Sequence, residues 1–400
     1  MIHTATWKEV KEGLVTDIYF ERTKKILEAK GIDLHVRAEV VAKGLSSNWP
    51  WAVLAGVEEC AEVFKDLPVD VRMMKEGTIF ITQQPVMEIS GKYLDFGQYE
   101  TTFLGLICQA SGIATMAARC KKAAGKKDVI SFGTRRMHPT IAPLIERNAY
   151  IGGCDGVSVG LGARLIGKEP SGTMPHALIL IMGDTVKATR AFDEVIEPRV
   201  KRVSLIDTFN DEKVEAINVA DELGDKLYAV RLDTPSSRRG DFLEIMKEVR
   251  WELDLRGFRE VKLFLSGGID ERDIERYNPL ADAYGIGTAI SAAPVVDFSM
   301  DIIEIDGHPL AKRGKMSGSK RVIRCRECFN TRICPLKERP GRCSCEGIEE
   351  EILVPFVSKG NLLYPLPKPS QIREFVLQQL SKVELDNNRE TGWLRKTKER

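Results

Sequence analysis

Neither charge dominates this chain. Lysine and arginine number 59 against 58 acidic residues, so no global field gathers nucleic acid or a membrane surface. The amino terminus, Met1 to Glu9, contains no apolar signal core and no arginine-rich amphipathic presequence. Long hydrophobic runs are missing too: the most apolar one, Ala177 to Met182, is far too short to span a bilayer. Disulfide arithmetic fails, because the nine cysteines are odd in number and five of them crowd into Cys325 to Cys345. Together these absences lead us to expect a soluble cytoplasmic protein with cores for two or three domains and a cysteine-rich metal module.

What is present is a rhythm. From about residue 128 to 290, apolar strands end in polar or glycine-rich residues and are followed by amphipathic helices. Val203 to Ile206 ends in Asp207-Thr208, Leu227 to Leu232 in Asp233-Thr234, Val261 to Leu265 in Ser266-Gly267-Gly268, and Ala281 to Tyr284 in Gly285-Ile286-Gly287-Thr288. Successive strands lie roughly 25 to 30 residues apart, as right-handed βαβ units require. Such a series closes into an α/β barrel or opens into a doubly wound sheet. No Gly-x-Gly-x-x-Gly finger opens it, and the strand ends favour the barrel, whose chemistry gathers at the carboxyl ends.

The flanks differ in texture. Residues 1–100 read as an α+β domain, with helices over Asp17 to Lys30 and Val57 to Phe64 and strands over Leu34 to Lys43, Thr78 to Ile81 and Pro85 to Ile89. Residues 101–300 form the expected catalytic domain, entered through a helix from Tyr99 to Ala124. Residues 301–400 are expected to hold a small metal-binding module, a final helix from Ser370 to Lys382 and a mobile charged tail from Arg389 to Arg400.

Chemistry concentrates in a few places. In Ser131-Phe132-Gly133-Thr134-Arg135-Arg136, a short strand delivers two guanidiniums beside an aromatic ring, which suits a flat anionic ligand. The plainer alternative is a surface turn whose arginines pair with nearby acids. His176 follows a Gly-Thr turn at a helix start, where an imidazole can face a phosphate. His138 is either a second pocket residue or a cap for the next helix. The Lys312 to Arg321 stretch is either a solvated loop or a basic flap for phosphates. The spacing Cys325-x2-Cys328-x5-Cys334-x8-Cys343-x-Cys345 suits a closed four-thiolate structural zinc site made by Cys325, Cys328, Cys343 and Cys345, with Cys334 as the possible substitute. An iron–sulfur cluster is the alternative.

In order along the chain, the Ser131 to Arg136 motif, Gly152-Gly153-Cys154-Asp155-Gly156-Val157-Ser158, Gly172 to His176, Leu205 to Thr208, Val230 to Thr234, Gly285 to Thr288 and Glu304 to Lys312 together resemble the nicotinate phosphoribosyltransferases, over about residues 14 to 325. The resemblance implies an incomplete α/β barrel of the quinolinate phosphoribosyltransferase kind. The zinc module would mark a short archaeal-type member. It also implies transfer of phosphoribose from phosphoribosyl pyrophosphate to nicotinate, with magnesium on the pyrophosphate and ATP as co-substrate. Phe132 would stack on the pyridine ring, with Tyr19 of a neighbouring protomer on its other face, in a homo-oligomer with shared sites. Arg135 would bind the carboxylate or a phosphate with support from Arg136, and Thr134, His138 and Asp207 would complete the pocket. Arg231 and Asp233 would hold ribose and diphosphate, while Gly267, Gly268, Gly287 and Thr288 would offer N–H groups to the 5′-phosphate. His176 would be the histidine phosphorylated by ATP, and Lys312 and Lys320 would be diphosphate ligands.

The residue types agree with that chemistry. Ribosyl transfer passes through a cationic state that needs positioning and a stabilised leaving group rather than a strong nucleophile, and no Ser-His-Asp arrangement is apparent. Two alternatives share the architecture: phosphoribosyl transfer to quinolinate or nicotinamide, and base exchange in transfer RNA by a zinc-containing barrel enzyme. The neutral charge and all-cysteine cluster count against the second.

Overall fold

The computed structural model describes residues 3–46 and 49–385. The tail from Arg389 to Arg400 lies outside the described residues. The chain divides into two compact units, residues 116–293 and a second unit made of residues 1–115 together with 294–400.

The 116–293 unit is built on a six-stranded parallel sheet, ordered Gly156–Val157, Asp128–Ser131, Ala283–Ile286, Lys262–Leu265, Leu227–Leu232 and Arg202–Leu205. The sheet is a half-barrel, so the expected incomplete α/β barrel is what forms. Local chemistry explains the helices between its strands. Glu212–Leu223 starts at Asp211, whose carboxylate accepts the Lys213 N–H, and stops at Gly224 with φ of +55°. It buries Ala216, Val219 and Ala220, while Phe242–Leu255 buries Met246, Val249 and Leu253. Asp270 and Asp273 form a capping box that starts Glu271–Tyr277.

The other unit departs from the expected division. Its main sheet is antiparallel and seven-stranded, ordered His308–Pro309, Asp297–Ile305, His35–Gly44, Pro85–Lys92, Asp70–Met73, Val354–Ser358 and Asn361–Leu362. Val36 pairs with Ile305 and Val71 with Val357, so segments before and after the half-barrel form one sheet over one core. The breaks therefore fall at 115/116 and 293/294 rather than at 100 and 300, and residues 301–400 do not stand apart. Both strands expected around Pro85 form, and Ile79–Phe80 pairs with Ala52–Val53. Lys320–Cys325 joins Thr331–Pro335 and Glu349–Glu351 in a small three-stranded sheet that carries the cysteines.

By length and composition alone, the helical stretch Tyr93–Ala124 is apolar enough to cross a membrane, which the run of Ala177 to Met182 did not suggest. It is a core element: Phe103, Ile107, Ala110, Ile113 and Ala114 are completely buried.

Candidate active site

The strand ends of the half-barrel open into a cleft of about 850 Å³. Two glycines shape its floor. A Cβ on Gly285 would lie 2.5 Å from Cδ2 of Phe132, so only glycine lets that ring settle on the sheet. A Cβ on Gly133 would lie 2.3 Å from the Gly287 carbonyl, so the turns after two neighbouring strands touch through bare backbone. Gly285→Ala is expected to displace the ring and lower stability by about 1 to 3 kcal/mol. A denaturation midpoint equal to that of the parent would show that the ring moves aside freely.

Phe132 lies 5.8 Å from Phe264, centroid to centroid, and the Arg231 guanidinium carbon lies 5.4 Å from the Phe132 centroid. Arg231 is locked from three directions. Its Nε donates to Ser266 Oγ at 2.9 Å, one Nη donates to Thr173 Oγ1 at 2.7 Å, and the other lies 3.3 Å from Asp233 Oδ2. Ser266 Oγ donates in turn to Asp233 Oδ1 at 2.7 Å. This network presents a cation, an aromatic face and a carboxylate in fixed relation. Thr173 and Ser266 stand inside motifs legible in the sequence, yet nothing in those motifs marked them as the partners of Arg231. Ser158, a further lining residue, gave no signal of its own either.

Arg135 and Arg136 line the cleft from the turn Thr134–Arg136, and both are exposed. Among the described residues neither forms an ion pair with an acid. Thr134 is buried behind them. His138 is not among the lining residues: its Nδ1 lies 2.7 Å from Thr140 Oγ1, and it caps the turn Pro139–Ile141. Gly267 and Gly268 adopt φ of +87° and +72°, a concave run of backbone suited to anions, and Gly287 and Thr288 lie in the same cleft.

His176 opens the helix His176–Met182 and lines the cleft with part of its ring exposed. Its Nε2 sits 3.1 Å from both Asp207 oxygens. The Asp207 side chain is only 1% exposed, and burial pushes its carboxyl up while the His176 hydrogen bond holds it down. The imidazole is thereby fixed at one nitrogen, leaving Nδ1 for chemistry.

The remaining expected residues belong to the other unit. Tyr19 is 56% exposed on the helix Ile18–Lys30. Lys312 is ion-paired with Asp301, whose second oxygen lies 2.7 Å from Lys315. Lys320 departs from its expected role. It is buried, and its Nζ donates to Glu39 Oε2 at 2.7 Å and to the carbonyls of Met316 and Gly318 at 2.8 and 3.1 Å, which uses all three protons.

The sulfurs of Cys325, Cys328, Cys343 and Cys345 lie within 4.8 Å of one another. Cys325 and Cys345 are 3.5 Å apart and Cys328 and Cys343 3.7 Å, close to the edge of about 3.8 Å that four 2.3 Å metal–sulfur bonds would give a tetrahedron. The Cys345 backbone N–H draws the Cys343 thiol down, while burial pushes the Cys328 thiol up, so the first thiolate of the group forms at Cys343. Cys334 lies outside this group, buried in the strand pair opposite Arg321.

Comparison with known proteins places this geometry. Residues 17–111 match the N-terminal domain model of quinolinate phosphoribosyl transferase, and residues 113–301 match the C-terminal domain model. A nicotinate phosphoribosyltransferase of Mycobacterium tuberculosis is 30% identical over 344 residues, covering 81% of this chain and 71% of that one. Among solved structures, nicotinate-nucleotide pyrophosphorylase from Pyrococcus furiosus superposes with a TM-score of 0.94 at 53% identity, covering 96% of this chain and 99% of that one. Human nicotinic acid phosphoribosyltransferase shares the fold, with a TM-score of 0.74 at 18% identity over 92% of this chain and 94% of that one. With a half-barrel of this kind and a relative this similar along most of its length, the chain belongs to the nicotinate phosphoribosyltransferase family.

Proposed function

We propose that the cleft transfers phosphoribose from phosphoribosyl pyrophosphate to the ring nitrogen of nicotinate, giving nicotinate mononucleotide and pyrophosphate in the salvage of NAD. The observation that carries this reading is the arrangement of Phe132, Arg231 and the exposed Arg135 and Arg136 in one cleft with two glycine turns. A planar ring on Phe132 meets guanidiniums at its edge, which suits a pyridine carboxylate. An amide in the same place would leave cationic charge uncompensated. The glycine turns suit the 5′-phosphate and diphosphate, and Asp233, held at 3.3 Å from Arg231, would stabilise positive charge developing on the ribose. Magnesium would accompany the diphosphate. Tyr19 of a second copy would cover the open face of the pyridine, in line with its exposure.

ATP would act through His176. With Nε2 held by Asp207, Nδ1 is free to take the γ-phosphoryl group while ADP departs. Hydrolysis of the phosphohistidine then drives synthesis. The four cysteines would hold a structural zinc ion that closes the knuckle and takes no part in transfer.

The test offers nicotinate, nicotinamide and quinolinate separately with phosphoribosyl pyrophosphate and magnesium, with and without ATP. Nicotinate alone should give product, and ATP should speed it. His176→Ala should remove the ATP effect while leaving slower ATP-independent turnover. Turnover of quinolinate or nicotinamide would reassign the pocket, and an ATP effect that survives in His176→Ala would remove the histidine from the mechanism.

A further inference from the structure

One carboxyl group beside the cleft has no role in the transfer described above. Glu146, on the helix Ala142–Ile151, is completely buried. Its Oε1 accepts from Ser131 Oγ at 3.4 Å and its Oε2 from the Val159 N–H at 3.4 Å, and the amide and hydroxyl of Ser158 also face it. The opposite helix presses on it: a Cβ on Gly162 would lie 2.8 Å from Glu146 Cβ.

The strand register says what this group supports. Ser131 pairs with Val157 in the parallel sheet, so Phe132 and Ser158 follow side by side, and both line the cleft. Side chains alternate along a strand, which puts Ser131, and Glu146 behind it, on the helix-covered side. We propose that Glu146 is a positioning residue for the pyridine substrate, fixing Ser158 at the edge of the Phe132 platform from behind the sheet. This inference rests on the proposed nicotinate activity.

Its chemistry suits that task. Burial pushes the carboxyl up to about 7 against the pull of the Val159 and Ser158 amides, so the neutral acid is accessible to it. As a neutral acid, it donates to Ser158 Oγ while its carbonyl oxygen accepts from the Val159 amide. Ser158 then turns its own proton towards the cleft. A glutamine offers the same donor and acceptor, a methionine of similar volume offers neither, and an aspartate draws the carboxyl back by one methylene.

The experiment measures KM for nicotinate and for phosphoribosyl pyrophosphate in Glu146→Gln, Glu146→Met and Glu146→Asp. The methionine variant should raise the nicotinate KM about tenfold and leave the phosphoribosyl pyrophosphate KM within about twofold, whereas glutamine should stay within about twofold for both. If the methionine variant does not fold, the aspartate variant carries the same expectation. Equal rises in both KM values, a fall in kcat alone, or no change in the methionine and aspartate variants would overturn the inference and leave the activity standing. Parent enzyme inert towards nicotinate would overturn the activity and this inference with it.

Discussion

Replacing Arg231 by alanine should lower kcat/KM for phosphoribosyl transfer by about 10²- to 10³-fold, without loss of the half-barrel. The guanidinium is the hub of the cleft, bonded to Thr173, Ser266 and Asp233 and lying over Phe132. Its removal strips the aromatic face of its cation and leaves the Asp233 carboxylate, among the described residues, with Ser266 as its remaining side-chain donor. Lysine should recover little, because one ammonium cannot reach a hydroxyl on each side and a carboxylate at once as a planar fork does. Steady-state kinetics with both substrates decide the matter. A loss smaller than about tenfold would mean that Arg135 and Arg136 carry the anion alone.

The second large effect concerns the knuckle. Stripping metal with a chelator, or Cys345→Ser, should lower the melting temperature by about 10 °C or more while a Cys334→Ser variant stays close to the parent. The reason lies in the strand Lys320–Cys325, which carries more than a cysteine. Arg324 on that strand is buried, and burial draws its guanidinium down to about 10. It donates to the carbonyl of Ile79 and to Gln379 Oε1, at the core of its own unit. Loosening the knuckle would therefore loosen a buried cation whose hydrogen bonds must stay made. Scanning calorimetry of holo, stripped and mutant protein gives the answer. Equal melting temperatures with and without metal would reduce the cysteines to packing.

Much of this was legible in the sequence, for physical reasons that differ by region. In a parallel sheet, each strand, its polar end and its helix are consecutive in the chain, so Asp207, Asp233, Gly267-Gly268 and Gly287-Thr288 announced the cleft locally. The cysteine set was legible because both knuckle pairs are close in sequence. The antiparallel unit was not, because one of the two partners of His35–Gly44 arrives only at Asp297–Ile305, and no periodicity in either segment names the other. Lys320 shows the same limit at one residue. A basic stretch suggested a phosphate ligand, but the nearest acid in space is Glu39, which no local pattern connects to it. Thr173 and Ser266 were hidden for the opposite reason, since serine and threonine at strand ends look like ordinary turn residues until an arginine is placed between them.

The discontinuous unit sets an order of events during synthesis. Residues 116–293 form a self-contained parallel half-barrel whose last strand, Ala283–Ile286, leaves the ribosome shortly before the strand Asp297–Ile305 and well before Val354–Ser358, which complete the other sheet. The half-barrel can fold while the amino-terminal segment still waits for its partners, with the exposed edges of His35–Gly44 and Asp70–Met73 unpaired for that interval. Ribosome-bound chains stopped far enough past residue 293 for the half-barrel to clear the exit tunnel should therefore hold a protease-resistant half-barrel and a protease-sensitive amino-terminal segment, and the strands Asp297–Ile305 and Val354–Ser358 act as the closing clasp of the fold.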